Sequence, residues 1–268
     1  ILFAGNTAVS SGGVMCTTTH SAILIKSNTV FEDNHSLKGS GGAIYTTGIL
    51  TVYDAVFEGN TAAYRGGAIL ASRASETEDI RRVRLENCEF NGNTAPYGGA
   101  MSLYSSSTDL LQGGTVTVNN CTFEKNFAKP SDSYNVGIGG AIHADRKSVL
   151  NINDSSFHKN TSTGEAGAIY VMGASKVTAK NTTFTDNASG SHGGAFSVRS
   201  AYLNLDDVKV HRNTATSNGG AMYLAYNSDM DINAVVNIKN SEFLKNESKS
   251  NGGAAYITKH SVEKEHNI

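Results

Sequence analysis

Side chains able to do chemistry are scattered in this chain, and few of them gather. The densest set is the neighbouring pair Asp206 and Asp207, with His192 and Arg199 a short way upstream. Paired carboxylates beside a base and an arginine are what an enzyme cutting an acidic polysaccharide would need, for proton transfer and charge stabilisation. Eight histidines are dispersed, with no HxH or HExxH, so no metal-binding pattern is visible. The three cysteines, Cys16, Cys88 and Cys121, include no CxxC and cannot close a disulfide framework. Lysine and arginine form no stripe and the net charge is −2, which argues against a nucleic-acid partner. No cofactor is expected from these residues. No run of apolar residues is long enough to span a bilayer, so direct membrane insertion by this segment is not expected either.

What positions these groups is a repeat. Glycine is abundant at 28 residues, proline scarce at 2, and tryptophan absent, a composition of short strands and tight polar corners. The pattern FxxN recurs at Phe3 with Asn6, Phe31 with Asn34, Phe57 with Asn60, Phe90 with Asn93, Phe123 with Asn126, Phe157 with Asn160, Phe184 with Asn187 and Phe243 with Asn246. A degenerate copy, Val210 with Asn213, fills the one gap. Each is followed by Gly-Gly-Ala or a near copy, with glycine pairs at Gly12 and Gly13, Gly41 and Gly42, Gly66 and Gly67, Gly98 and Gly99, Gly139 and Gly140, Gly193 and Gly194, Gly219 and Gly220, and Gly252 and Gly253. The two motifs alternate strictly with a period of 26 to 34 residues. Long-period repeats of this kind mean a solenoid, whose coils bury a core only by stacking.

Aligned coils give physical columns. Seven and five residues before Phe, apolar side chains recur, as in Val83 with Leu85 and Val116 with Val118, which is the alternation of a half-buried strand. Three before Phe stands Asn or Asp at Asn28, Asp54, Asn87, Asn120, Asp154, Asn181, Asp207 and Asn240. These types tolerate the left-handed backbone region, so a one-residue corner is expected there. Phe marks a second strand, and the residues after Gly-Gly-Ala a third. The expectation is an all-β, right-handed parallel β-helix of about nine coils with three short strands per coil, one solenoid over residues 1–258. Residues 259–268 read as a charged tail or the start of a next segment, and the whole as a piece of a longer protein. The FxxN and glycine columns are assigned to structure: Asn stacks at a corner, and Gly allows a sharp turn.

FxxN paired in tandem with Gly-Gly-Ala and an apolar residue resembles the repeat of the chlamydial polymorphic outer membrane proteins, over essentially the whole chain. The resemblance implies a surface-exposed β-helical passenger, often an adhesin. Val210 in place of Phe, Ala166 in place of the first Gly, and Val14 in place of Ala depart from the pattern conservatively. The reading is an extracellular or cell-surface module acting in adhesion or as a scaffold. Its expected partners are other surface or matrix proteins, or glycans, or further copies or adjoining domains of itself. A carbohydrate-active enzyme on the same fold is the alternative.

Binding is expected where coils differ. The stretches 72–80, 105–114 and 226–234 lengthen one corner, and 127–138 lengthens another. The outward column two after the Gly-Gly-Ala alanine carries Tyr45, Tyr170, Tyr223 and Tyr256, a candidate binding surface, along with His143. Its structural alternative is cross-strand packing between neighbours. Cys88 and Cys121 share a column in adjacent coils and are expected as free thiols. Sequons occur at Asn34, Asn120, Asn153, Asn160, Asn181, Asn187 and Asn246; Asn120, Asn153 and Asn181, outside the FxxN column, are the candidates for glycosylation.

Overall fold

The computed structural model describes residues 1–18, 21–73, 82–105, 114–226 and 232–258. Every strand pairing in its three sheets is parallel and joins equivalent positions of successive repeats. Phe31 pairs with Phe57, Phe90 with Phe123, and Phe184 with Val210, so the sequence columns are the vertical columns of the stack. The architecture is a right-handed parallel β-helix.

The first sheet has fifteen strands and holds both the apolar pair before the corner and the Phe strand. All eight corner Asn and Asp residues adopt positive φ, between 45° and 59°. In two coils the strand runs through that corner unbroken, over Lys176–Thr185 and Tyr202–His211, which fuses the two rows into one sheet. The second sheet is a nine-stranded row of two-residue strands directly after the FxxN asparagine, such as Thr94–Ala95. Two residues show no alternation, and sequence columns alone did not reveal this row. The third sheet, also nine-stranded, follows Gly-Gly-Ala.

One continuous core fills the stack. Phe3, Phe31, Phe57, Phe90, Phe123, Phe157 and Phe184 stack with centroids 4.6–5.1 Å apart. That spacing is the strand separation itself, so the backbone ladder sets the ring stack. Each buried ring contributes about 1.5–3 kcal/mol. Beside it runs an asparagine ladder. Asn60 donates from both its backbone N and its Nδ2 to Oδ1 of Asn93, at 3.0 and 2.9 Å, and its Nδ2 also donates to the Phe31 carbonyl at 2.9 Å. Asn34, Asn93, Asn126, Asn160, Asn187 and Asn213 repeat this arrangement. Every polar atom of these buried amides is thereby used.

The two motif glycines have different reasons. The first sits at φ 62–70° in every coil that has it, and Ala166 is held at 59°. The second has no room for a side chain in any coil but the last, because a Cβ would press into the carbonyl oxygen of the next coil's second glycine.

Candidate functional site

The outward face of the third sheet is where the coils stop being alike. Period-two alternation sends Tyr45, Leu70, Ser102, His143, Tyr170, Ser197, Tyr223 and Tyr256 to this face, in register from coil to coil. Outward does not mean exposed here. Tyr170 is 6% and Tyr223 8% accessible, and His143 only 1%. The expected row of four exposed tyrosines is therefore corrected: Tyr170 and Tyr223 are buried, and Tyr45 and Tyr256 are half-buried. Neighbouring rings account for part of the cover. His143 stacks on Tyr170 at 5.6 Å, and Tyr223 lies between His192 at 4.3 Å and Tyr256 at 6.0 Å.

The rest of the cover comes from the flanking columns, and serine decides where. Ser102 and Ser197 are the small residues of the outward column, each fully buried. Each leaves a gap that long side chains cross. Near Ser197, Arg199 and Glu165 form a two-pronged ion pair, through Nε at 2.8 Å and through a second nitrogen, and the Ser197 hydroxyl donates to the same carboxylate at 2.7 Å. The bond to Glu165 raises the Arg199 pKa further above its usual value.

Near Ser102 the filling is different. The Arg65 guanidinium lies 4.0 Å from the Tyr104 ring centre and 4.5 Å from that of Tyr97. Arg146 faces Tyr104 as well, at 4.6 Å. The insertion at 127–138 folds back onto this group. An antiparallel bridge between Ser131 and Tyr134 turns the chain, and the Tyr134 ring stands edge-on to Tyr64 at 5.2 Å and to Tyr97 at 4.9 Å. Arg65 donates to Nδ1 of His143 at 3.4 Å, and Ser102 Oγ lies 3.2 Å from the same nitrogen. Burial first, and the Arg65 charge second, hold the His143 pKa well below its usual value, so this imidazole is neutral and Nδ1 is free to accept. Burial also raises the Asp145 pKa from its ordinary value. The result is a cation–aromatic cap in which Arg65, Tyr97, Tyr104, Tyr134 and Arg146 are half-buried.

The polysaccharide-cutting set is not assembled. Arg199 is spent on Glu165, and His192 is stacked on Tyr223. Asp206 belongs to the first sheet, where it accepts from Asn240 at 3.1 Å, and Asp207 is the exposed corner residue beside it. Among the sequons, Asn34, Asn160 and Asn187 are fully buried in the ladder. Asn120 and Asn181 are exposed and Asn153 is half-buried, each bonded through its amide to a residue of the preceding coil. Cys88 and Cys121 are buried free thiols, with the Cys88 amide donating to Cys121 Sγ at 3.3 Å. The hydrogen bond with Cys88, together with burial, pushes the Cys121 thiol pKa up. Most of 72–80, 105–114 and 226–234 lies outside the described residues.

Sequence reasoning found the outward column and the insertion but missed Arg65, Tyr97 and Tyr104. The available signal was positional. Arg65 and Tyr97 both precede the first glycine of their motif, and Tyr104 follows the alanine of its motif by four, so all three flank the gap at Ser102.

Two family models match the chain. One, described as a right handed beta helix region, matches residues 110–268, more than half of its length. The other, the Chlamydia polymorphic membrane protein repeat, matches residues 28–47 and 54–72. No curated protein and no solved structure matches.

Proposed function

Because the chain belongs to the right-handed β-helix family and carries polymorphic membrane protein repeats, we propose that it is a cell-surface module in which the coils are a spacer and the cation–aromatic cap adheres to a partner. One observation carries this reading. Phe stack, Asn ladder and glycine corners repeat in coil after coil, whereas Arg65, Tyr97, Tyr104 and Tyr134 occur together once and pack against an insertion found in a single coil. A feature confined to one place on a repeating rod is not needed to stack the rod. Half-exposed tyrosine and arginine are the residue types that dominate recognition surfaces.

Microspheres coated with the protein and settled on cultured cells or on extracellular matrix test it. Tyr97→Ala and Tyr134→Ala should lower retention several-fold, and Tyr53→Ala, on the first sheet, should not. Equal retention by all three variants and the parent would contradict the proposal.

A further inference from the structure

Arg65 is the unusual member of the cap. Arg199 and Arg212 each bind a carboxylate with two nitrogens. The half-buried Arg65 has no such partner. Among the described residues no carboxylate lies within ion-pairing distance of it, although Asp145 is near enough to act on its charge. Among the described residues, one of its five N–H donors is used, toward His143. The residue as a whole is half-buried. A guanidinium partly drawn out of water, with donors to spare, gains from an anion that completes it.

The structure shows what holds the fork in place. Tyr97 and Tyr104 fix the guanidinium plane, and neutral His143 orients it from beneath. Planar, preset donors suit a carboxylate or sulfate, which binds them in pairs. Beside the fork stands the edge-to-face group of Tyr64, Tyr134 and Tyr97, which offers apolar ring surface with hydroxyl tips. Ring surface next to an anion fork fits an acidic pyranose, because the sugar's C–H face packs on the rings while its acid enters the fork. A polyglutamate peptide would supply the anion but bring little apolar surface to the rings.

We propose that Arg65 and the tyrosines around it form a binding site for an anionic saccharide. The inference rests on the adhesive reading above and names its ligand class. Calorimetry with the whole chain and four probes tests it: a galacturonate tetrasaccharide, its methyl ester, a sulfated heparin tetrasaccharide, and a tetraglutamate peptide. Binding of the galacturonate or the heparin probe, whichever source of anion is preferred, should fall at least about tenfold in Arg65→Gln, which corresponds to about 1.4 kcal/mol. It should fall also in Tyr134→Ala, a change in the insertion that spares the coil stack. Both variants should keep the parent's circular dichroism and melting temperature. Equal binding of the methyl ester, binding of tetraglutamate alone, or no binding of any probe at millimolar concentration would overturn it. Loss of microsphere retention in Tyr134→Ala without any saccharide binding would leave the adhesive reading standing and remove this one.

Discussion

Replacing Asn126 with alanine tests what holds the coils together. Its Oδ1 accepts from the backbone N and the Nδ2 of Asn93, both at 3.0 Å, and its Nδ2 donates to the Asn160 Oδ1 and the Phe90 carbonyl, both at 2.9 Å. Alanine removes all of these and keeps the two backbone bonds, from its N–H to Asn160 Oδ1 and from the Thr161 N–H to its carbonyl. The Asn93 backbone N–H, one Asn93 amide hydrogen and the Phe90 carbonyl then lose these partners inside the protein, where Asn93 is fully buried. A buried polar group left unpaired costs about 1–3 kcal/mol, so the loss should be at least ~3 kcal/mol. Asn6→Ala is the control. Asn6 is exposed at the start of the ladder, where its amide donates to Asn34 Oδ1 and, at 3.4 Å, to the carbonyl of exposed Ala4, so the expected loss is about 1 kcal/mol or less. Urea unfolding followed by circular dichroism measures both, and hydrogen exchange shows whether the damage centres on the coils of Asn93 and Asn160. Similar losses in the two variants, or a cost under ~1 kcal/mol for Asn126→Ala, would refute the ladder as a main source of stability.

Two further outcomes follow from the same geometry. Gly99→Ala should be far worse than Gly92→Ala: a Cβ at Gly99 meets the Gly140 carbonyl and the Phe127 backbone, while Gly92 has open space and only a positive φ of 63° to strain, about 1 kcal/mol, as melting temperatures will show. Stability should also fall on mild acidification. His143 has a folded pKa below its unfolded value near 6.5, so its contribution is present above about pH 6.5 and is lost as pH falls through the folded pKa, by at most ~1.4 kcal/mol per pH unit. His143→Gln should flatten that limb, and an unchanged pH profile in urea unfolding would count against a neutral buried imidazole.

The fold was legible because its determinants are periodic. Phe, Asn and the glycine pair recur at one place per coil, and a column of eight Asn or Asp residues marks a left-handed corner by residue type alone. The row of two-residue strands escaped because Thr94 and Ala95 carry no alternation to read. The cap was legible only in part. Alternation correctly sent Tyr170 and Tyr223 outward, yet both are buried. Side chains from other columns, such as His192 over Tyr223, fall across the face, and local periodicity does not encode that reach. Arg65 shows the same limit: its ring partners Tyr97 and Tyr104 come from the next coil, and His143 from the one after.

The central claim is a division of labour in which interchangeable coils give stability and one cap gives recognition. Hydrogen–deuterium exchange with and without a saturating acidic tetrasaccharide, galacturonate or heparin, whichever binds, is the test. Added protection is expected only in the segments around Arg65, Tyr97 to Tyr104, Tyr134 and His143. Protection spread evenly along the coils, or centred on the first sheet around Asp206, would contradict it.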